Sequence, residues 1–388
     1  MTRRGLVPRM EPHATSIFGE MSALALQVGA VNLGQGFPDT DGPEEIKQVA
    51  MAAIESGMGN QYPPVHGLPD LRQAIAEHQK RFYGLDVDPQ TQVVVTTGAS
   101  EAIQSSLLAL VDQGDEVIVF EPWFDIYGVG IDLTHARRVS VPMRPPTFRP
   151  DLEALRAAVT DRTRLILLNP PHNPTGVVFT PEELQAVADI AIEHDLIVLS
   201  DEAYEHLWYD GHPHVPIATL PGMAERTVSI GSAGKSFSFT GWKVGWATGP
   251  TDLIRAVRAV RQHLSYVSGG PFQYAIAHAL RMPDSYYEHF RHDLQAKRDL
   301  FTAGLRDLGF TTPGSEGTYF LTTDLGPFSE YADGLALARD LPHRAGVVAI
   351  PIQVFCDHEE IGTYALRWAF CKKPEVLGEA LDRLARST

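Results

Sequence analysis

The sequence is poor in cysteine, with two among its 388 residues. Cys356 and Cys371 form neither a Cys-x-x-Cys pair nor a zinc-ligand spacing, which excludes a disulfide scaffold and leaves no metal site predicted. Scarce cysteine is typical of a reducing cytosol, so we expect a cytoplasmic protein with both thiols in its core.

Long apolar runs and an excess of positive charge are also missing. No run reaches the length of a transmembrane helix, so no membrane contact is predicted. The 32 Lys and Arg residues are outnumbered by 48 Asp and Glu residues, and the net charge of −16 excludes nucleic acid as a natural partner. What is present is a globular composition, 44% hydrophobic and 21% charged, in a chain long enough for one large and one smaller domain.

One lysine has sequence neighbours that favour a reactive, nucleophilic amine. Lys235 lies in the stretch Ser232–Trp246 among small and hydroxylated residues, between the predicted strands Thr227–Gly231 and Val244–Thr248. We expect it on a tight turn close to backbone amides, with Lys243 as a second cation. A lysine that loses water in such a place has a lowered pKa and can form a Schiff base. The alternative is an ordinary solvated loop lysine.

Polar segments follow two apolar runs upstream. Asn169–Gly176 comes directly after the predicted strand Arg164–Leu168, and Ser200–Tyr204 comes after the predicted strand Leu196–Leu199. A predicted helix, Pro181–His194, separates the two strands, and this strand–helix–strand order indicates a mainly parallel sheet. In such sheets ligands bind at the carboxyl ends of the strands, which is where these polar segments stand.

Together these motifs resemble the fold-type I, pyridoxal-phosphate-dependent aminotransferases, a class that includes aspartate and kynurenine aminotransferases. The Asp201-to-Lys235 spacing and the Lys235-to-Lys243 offset also fit, and the resemblance runs from about residue 15 to the C-terminus. It implies an α/β fold with a mainly parallel, seven-stranded sheet in a large domain and a smaller α+β domain. The implied division is an N-terminal arm at 1–45 that joins the small domain, a large cofactor-binding domain at 46–285 and a small domain at 286–388.

The resemblance assigns the central chemistry to three catalytic residues, Lys235, Asp201 and Tyr204. It implies that Lys235 holds the aldehyde of pyridoxal 5′-phosphate as a Schiff base, is displaced by the substrate amine and then carries the Cα proton. Asp201 is expected to pair with the pyridine nitrogen and keep it protonated. Tyr204 and Asn173 are expected to hydrogen-bond the phenolic oxygen. The implied reaction transfers an amino group between an amino acid and a 2-oxo acid.

A predicted helix start carries a second cofactor signal. After the predicted strand Gln92–Thr96, the stretch Thr97–Ile103 places glycine and serine where unpaired N–H groups and a positive dipole end suit a phosphate. A simple chain turn is the alternative at any such junction. The resemblance favours the phosphate site and implies these residues for the cofactor: Gly98, Ala99, Ser100, Ser232 and Lys243.

Aromatic and glycine residues are expected to shape the rest of the pocket. Register with the family favours Phe124 over Trp123 as the ring that stacks on the pyridine. The resemblance also places Phe18 in the pocket wall and turns the N–H of Gly36 toward the substrate carboxylate. Without the resemblance, the aromatic residues would be interpreted as core and Gly36 as part of a turn.

Arg367 lies in the middle of the predicted strand Ala365–Phe370, with apolar residues on both sides. A buried arginine requires an anionic partner. A structural ion pair would satisfy it within the fold, whereas the family match makes Arg367 the fork that binds the substrate α-carboxylate. The same match adds Asn173 to the substrate-binding residues.

Tyr62 provides an expectation about how the chains associate. Two prolines after it exclude a helix and leave an extended surface loop. In the resembling family this tyrosine crosses the dimer interface and hydrogen-bonds the cofactor phosphate of the neighbouring chain. We therefore expect a homodimer with shared active sites.

Two other functions remain as alternatives. A β-lyase that acts on cysteine conjugates would use the same residues with a leaving group at Cβ. A cofactor-sensing regulator would need a DNA-binding segment, for which the short stretch before the resemblance leaves no room, so an enzyme is expected.

Two branches of the family fit the sequence: kynurenine/glutamine-type aminotransferases and the bacterial N-succinyl-diaminopimelate aminotransferases of lysine biosynthesis. Both share the motifs Gly34–Asp39 and Thr240–Trp246. The segment Leu264–Gln273 departs from the aromatic-plus-histidine pattern of the kynurenine branch, and its two glycines are expected to leave room for a long polar side chain. We therefore expect N-succinyl-LL-2,6-diaminopimelate with 2-oxoglutarate, and kynurenine, glutamine or methionine as alternative substrates.

Overall fold

The computed structural model describes residues 5–388, and residues 1–4 of the predicted N-terminal arm lie outside this range. Within the described residues the chain forms thirteen strands: β1 (Val31–Asn32), β2 (Val93–Thr96), β3 (Glu116–Glu121), β4 (Arg137–Arg144), β5 (Arg149–Pro150), β6 (Thr163–Leu168), β7 (Ile197–Asp201), β8 (Thr227–Ser232), β9 (Gly245–Thr248), β10 (Phe320–Thr323), β11 (Val347–Val348), β12 (Ile350–Pro351) and β13 (Leu366–Ala369).

The same residues form thirteen α-helices: α1 (Ile17–Val28), α2 (Glu44–Glu55), α3 (Pro69–Tyr83), α4 (Gly98–Leu110), α5 (Asp125–Thr134), α6 (Leu152–Ala158), α7 (Pro181–Glu193), α8 (Ala233–Ser236), α9 (Thr251–Leu264), α10 (Gly270–Leu280), α11 (Asp284–Asp307), α12 (Gly334–Arg344) and α13 (Pro374–Ala385).

Eight strands form one large sheet in the order β2-β9-β8-β7-β6-β3-β4-β5. The strands from β8 to β4 in this order run parallel, whereas β2, β9 and β5 pair antiparallel with their neighbours. The prediction of a mainly parallel sheet is confirmed. The sheet has eight strands where the resemblance implies seven, and its edge strand β5 has only two residues, which pair with Met143 and Arg144.

Continuous apolar runs explain why both faces of this sheet are covered. Val117 and Val119 of β3 belong to one core cluster with α4, α5 and α9, whereas Ile118 and Phe120 belong to another with α7. Because successive side chains of a strand point to opposite faces, the two clusters lie on opposite sides of the sheet. The carboxyl ends of the parallel strands remain free to carry polar groups.

Two smaller sheets involve the C-terminal part of the chain. Strands β10, β13 and β12 form an antiparallel sheet in which Arg367 lies opposite Thr322 and Ile350. Strand β1 pairs in parallel with β11, so that Val31 lies opposite Val347. This pairing joins the N-terminal segment to the C-terminal part, while the domain boundaries at residues 45 and 285 stay a prediction.

Two sequence expectations need correction. The Arg-, His- and Asp-rich sequence of Tyr286–Leu308 predicts a solvated helix, whereas the observed helix, α11, has one side buried through Leu294, Phe301 and Leu305. The helical spacing of these apolar residues forms the stripe that packs into the core. The apolar run Val347–Ile350 predicts a single strand, whereas the structure has two short strands, β11 and β12, which belong to different sheets.

Strand β4 has the sequence Arg-Arg-Val-Ser-Val-Pro-Met-Arg. Its first six residues pair with β3 on one side, and its last two pair with β5 on the other. Arg137 bonds Glu116 at 3.2 Å, and Arg138 bonds Asp357 at 2.6 Å. Polar and charged residues thus concentrate on this strand.

Across residues 5–388, none of the helices combines the length and apolar character needed to cross a membrane.

Candidate active site

The polar segments at the carboxyl ends of β6, β7 and β8 surround a cavity of about 370 Å³. This is the position at which open α/β sheets bind ligands. Among the predicted site residues, all but Tyr62 line the cavity: Phe18, Gly36, Gly98, Ala99, Ser100, Phe124, Asn173, Asp201, Tyr204, Ser232, Lys235, Lys243 and Arg367.

Lys235 follows β8 within the short helix α8, where the sequence predicts a tight turn. Its Nζ donates hydrogen bonds to Tyr319 Oη at 2.7 Å and to Gly36 O at 3.1 Å. Burial lowers the pKa of Lys235 to about 8, because a charged ammonium is costly to remove from water. The amine is therefore much easier to deprotonate than that of an exposed lysine.

Asp201 ends β7 and is buried at the floor of the same site. Its Oδ2 accepts a hydrogen bond from Tyr127 Oη at 2.7 Å, and its Oδ1 accepts one from the backbone N–H of Ala203 at 3.2 Å. Burial raises the pKa of Asp201 to about 6, and these hydrogen bonds oppose the rise. Both donors are neutral, so the carboxylate can still bind a cationic N–H group.

The first residues of α4 form a corner with Lys243. Gly98 has a φ of 73°, a left-handed conformation that favours glycine. A Cβ at Gly98 would lie 3.2 Å from Lys243 Nζ, so the backbone and the ammonium approach closely. Ala99 and Ser100 supply N–H groups of the first helical turn, and Ser232 lines the same cavity. Such a helix start with a cation beside it suits a phosphate.

Arg367 is 1% exposed, and its partners are neutral. Nη1 donates to Asn173 Oδ1 at 2.9 Å, Nη2 donates to Gly34 O at 2.7 Å, and Nε has no partner within residues 5–388. The guanidinium carbon lies 4.0 Å from the centre of the Phe320 ring. Burial lowers the pKa of Arg367 to about 10, which still leaves it charged at neutral pH. In the described part of the chain, no carboxylate forms a salt bridge with Arg367, and the nearby Asp125 only favours its charged form.

Aromatic rings line one side of the cavity. Phe18 and Phe124 meet edge to face with ring centres 6.5 Å apart. Phe355, which the sequence analysis did not single out, stacks on Phe18 at 5.7 Å. Trp123 packs in the core, where the Arg138 guanidinium lies 4.4 Å from its ring centre. Of the two neighbouring aromatic residues, only Phe124 lines the cavity.

Glycine is required at position 36 by close packing. A Cβ there would lie 2.4 Å from Phe320 and 2.7 Å from Tyr319. The Gly36 carbonyl oxygen accepts the bond from Lys235, a contact that was not predicted. Tyr204 packs edge-on against Tyr319 with ring centres 5.1 Å apart, and burial raises the pKa of Tyr204.

Tyr62 lies outside the cavity, with 80% of its surface exposed and its ring 5.4 Å from that of Tyr266. The segment Leu264–Gln273 does not line the cavity either. A Cβ at Gly270 would lie 2.5 Å from the backbone oxygen of Gly59. This glycine serves close packing of two chain segments, so the expected room for a substrate side chain does not arise within one chain.

Three residues that organise the site were missed. The Asn169 side chain accepts a bond from the Asn173 N–H at 2.9 Å and donates to the Asp201 carbonyl at 2.7 Å. Tyr127 and Tyr319 are the other two. Asn169 stands in the polar segment Asn169–Gly176 and Tyr127 lies three residues after Phe124, whereas Tyr319 directly precedes β10 with no distinguishing spacing.

The model of the class I and II aminotransferase family matches residues 28–384, and the chain belongs to this family. The fold is that of the fold-type I aminotransferases, as predicted. An aspartate aminotransferase structure from Thermus thermophilus, described with maleate, is 33% identical with a TM-score of 0.91, covering 99% of this chain and 100% of that one.

Other relatives are similar over nearly their whole length. A protein described as a probable N-succinyldiaminopimelate aminotransferase from Mycobacterium tuberculosis is 48% identical over 389 residues, 98% of each chain. The solved structure of the N-succinyldiaminopimelate aminotransferase from that organism has a TM-score of 0.96, covering 99% of this chain and 100% of that one. The methionine aminotransferase of Escherichia coli is 36% identical over 386 residues, 99% of each chain.

Proposed function

We propose that the protein is a pyridoxal 5′-phosphate-dependent aminotransferase that passes the amino group of N-succinyl-LL-2,6-diaminopimelate to 2-oxoglutarate. One observation carries the proposal: the Lys235 amine, the Asp201 carboxylate and the Arg367 guanidinium, whose hydrogen-bonding partners are neutral, line one cavity. These groups suit, in turn, the cofactor aldehyde, the cofactor ring nitrogen and the substrate carboxylate.

The residues present fit the cofactor. A Cβ at Gly98 would fill the space beside Lys243. Because glycine has no Cβ, the space next to this cation stays open, as a bound phosphate requires. Asp201 accepts hydrogen bonds only from neutral donors among the described residues, which leaves its charge for a protonated ring nitrogen. Phe124 offers an aromatic face along the same cavity.

When bound, pyridoxal phosphate supplies an aldehyde for the Lys235 amine and an electron sink for the carbanion formed at the substrate Cα. With its lowered pKa, Lys235 is readily available as the neutral nucleophile. With its amine free, Lys235 would accept the proton of the substrate Cα at Nζ and return it. General acid–base transfer by a positioned side chain contributes about a hundred- to ten-thousandfold to rate.

Asp201, Asn173 and Tyr204 prepare the cofactor for this chemistry. The Asp201 carboxylate, fixed by Tyr127, stabilises a proton on the ring nitrogen. Because the Asn173 oxygen is bound by Arg367, the Asn173 Nδ2 hydrogens remain for the phenolic oxygen of the cofactor. Tyr204, whose pKa is raised by burial, keeps its hydrogen and supplies a second donor.

Arg367 selects the α-carboxylate. Two of its N–H groups are held by Asn173 and Gly34, which fixes the plane of the guanidinium before the substrate arrives. The buried Nε–H and the remaining hydrogens stay available for a planar carboxylate, which a fork can bind with two parallel bonds. Recognition of this group does not depend on the substrate side chain.

Sequence identity to relatives supports the choice of N-succinyl-LL-2,6-diaminopimelate as the amino donor. The chain is 48% identical to the probable N-succinyldiaminopimelate aminotransferase of M. tuberculosis and 36% identical to the methionine aminotransferase of E. coli. A human protein named kynurenine–oxoglutarate transaminase 1 is also 36% identical.

The test is a half-reaction screen. The absorbance change of the bound cofactor is followed after addition of N-succinyl-LL-2,6-diaminopimelate, kynurenine, glutamine or methionine, each at several concentrations. We expect the highest kcat/KM for the succinylated donor. A preference for kynurenine or methionine would overturn the substrate while keeping the aminotransferase. Pyruvate release from a β-halo-alanine without an oxo acid would reveal β-lyase chemistry.

The active unit that we propose is a homodimer in which Tyr62 serves the partner's cofactor phosphate. Its 80% exposure in one chain leaves the side chain free for such a contact.

We also propose residues 46–285 and 286–388 as the large and small domains, with the N-terminal arm joined to the small domain. The β1–β11 pairing supports this arrangement.

A further inference from the structure

Tyr319 contacts the Lys235 amine, and the proposed function gives it no role. Its Oη lies 2.7 Å from Lys235 Nζ, and its own hydrogen is donated to the Gly36 carbonyl. Lys235 Nζ donates to the same carbonyl at 3.1 Å. The amine, the hydroxyl and the carbonyl therefore form a closed triangle of hydrogen bonds.

The direction of each bond follows from the hydrogens available. A tyrosine hydroxyl has one hydrogen, and here Gly36 O accepts it, so Tyr319 can only accept from Lys235. A carbonyl has no hydrogen and can only accept. Burial raises the pKa of Tyr319 well above its ordinary value, so this hydrogen stays in place at neutral pH.

A neutral lysine amine has two N–H groups and one lone pair. Tyr319 Oη and Gly36 O take both N–H groups, so the lone pair is the part of Nζ that points away from these two oxygens. We propose that Tyr319 is a positioning residue that, with the Gly36 carbonyl, holds the free Lys235 amine with its lone pair directed at the substrate. This inference rests on the proposed aminotransferase function.

The proton transfer that this arrangement serves is balanced. The Nζ lone pair forms a new N–H bond with the proton of the substrate Cα–H bond. The electron pair of the broken C–H bond stays on the substrate side, and Lys235 becomes an ammonium. The reverse transfer restores the neutral amine.

The backbone fixes the tyrosine hydroxyl in place. Thr318, the preceding residue, has a φ of 64°, and its carbonyl accepts a hydrogen bond from Tyr209 Oη. Tyr319 itself is fully buried. Because Gly36 has no Cβ, its backbone can lie against the Tyr319 ring. The position of Oη is thus set by two packed chain segments.

Replacement Tyr319→Phe removes Oη and keeps the ring. Tyr287→Phe is the matched control, because Tyr287 is 2% exposed, lies outside the cavity and makes only long bonds of 3.4 and 3.5 Å to backbone carbonyls. Both variants leave unchanged the other charged or titratable groups around the amine: Asp201, Tyr204, Lys243, Arg367 and Cys371.

The first measurement uses protein stripped of cofactor. An amine-selective reagent is applied across a pH series, and mass spectrometry gives the labelling rate at Lys235. An acceptor hydrogen bond favours the ammonium, so its loss in Tyr319→Phe should move the labelling midpoint down by on the order of one pH unit. Tyr287→Phe should leave it unchanged. An unchanged midpoint in Tyr319→Phe would overturn the inference, and so would an upward shift, which signals exposure of the amine.

The second measurement uses the loaded enzyme. Tyr319→Phe should lower kcat by about ten- to a hundredfold with little change in KM, because misorientation slows the proton transfer without weakening carboxylate binding. The isotope effect with an α-deuterated donor should rise. Kinetics equal to those of Tyr287→Phe would contradict positioning.

A crystal structure of the wild-type protein loaded with an amino donor gives a check that needs no variant. It should show Nζ within hydrogen-bonding distance of Tyr319 Oη and Gly36 O, and an amine placed elsewhere would overturn the inference. Failure of borohydride to fix pyridoxal phosphate on wild-type Lys235 would instead overturn the proposed function, which keeps the two failures distinct.

Discussion

Lys235→Ala should lower kcat by on the order of a hundred- to ten-thousandfold, because the residue that carries the Cα proton is lost. In the wild-type protein, borohydride reduction should attach pyridoxal phosphate covalently, and peptide mass spectrometry should find the label on Lys235. The exposed Lys373 offers a control, since Lys373→Ala should keep both activity and label. A label found on a different lysine would refute the assignment.

Arg367→Lys should raise KM for every amino donor, because a point charge replaces a planar fork. Arg367→Ala should cost about 2–5 kcal/mol of transition-state binding, obtained from the ratio of kcat/KM values. Burial also depresses the pKa of this guanidinium to about 10, so the loss should not vary between pH 6 and about 8.

Arg261 provides the matched control for a buried arginine. It is also 1% exposed, but it bonds the Val65 carbonyl at 2.8 Å and lies outside the cavity. Arg261→Lys should lower thermal stability and leave KM close to the wild-type value. If Arg367→Ala behaved in the same way, Arg367 would be a structural residue.

Single residues were predictable where type and spacing act together. Asp201 ends β7 and Lys235 follows β8 by three residues, so the apolar runs before them predict that both lie at one edge of the sheet. Tyr319 could not be selected, because its contact with Lys235 joins segments 84 residues apart. The neutral partners of Arg367 were equally hidden, since they come from loops after other strands.

The turn that follows β7 carries a buried carboxyl group with a strong pH dependence. Glu205 is 3% exposed, its Oε2 has no partner among the described residues, and burial raises its pKa to about 8. The unfolded chain loses this proton near pH 4.5, whereas the folded chain keeps it to about pH 8. Between these values the unfolded state binds fewer protons, so the Glu205 contribution to the free energy of unfolding falls as pH rises.

Glu205→Gln should remove this pH-dependent fall in the free energy of unfolding. Denaturant unfolding at pH 5, 6.5 and 8 should show the variant gaining stability relative to wild type, by at most about 1.4 kcal/mol per pH unit. Glu153→Gln, at an exposed position, should run parallel to wild type. Equal slopes for wild type and Glu205→Gln would mean that the carboxylate is charged and stabilised inside the fold.

Elements with clear end signals were predictable, and those stabilised by tertiary contacts were not. Helix α7 begins with a capping box between Thr180 and Glu183, followed by proline at the first helical position, and its predicted and observed starts agree. Helix α3 escaped prediction because its buried side includes Arg72, His78 and Gln79. Polar residues on the inner side break the apolar period, and only the fold provides their hydrogen-bonding partners.

At the scale of the whole molecule, one surface region is unusually apolar. Exposed large side chains concentrate between residues 51 and 62 and again near Tyr266: Met51 is 57% exposed, Met58 60% and Tyr62 80%. Apolar side chains gathered in this way mark an interaction surface. We expect the protein to sediment as a dimer, and Met58→Glu to shift it toward monomers.

If each active site contains residues from both chains of the dimer, two inactive variants should restore activity when they are mixed. Tyr62→Ala and Lys235→Ala should each be weakly active alone, whereas a mixture should regain activity, because a hybrid dimer has one site with an intact Lys235 and an intact Tyr62 from the other chain. Subunit exchange is verified with two different affinity tags. Hybrids that form without any recovery would show that each chain completes its own site.

Strand β4, most of which lies at an open edge of the large sheet, affects how the protein behaves at high concentration. Within the described residues, the first six positions of β4 have a strand partner on one side only. An open strand of this kind is a template on which further copies can add and grow into fibrils. Here the template is blocked, because Pro142 lacks an N–H group and Arg137 and Arg138 would bring like charges together. Crowded solutions of the protein should therefore resist fibril growth from this edge.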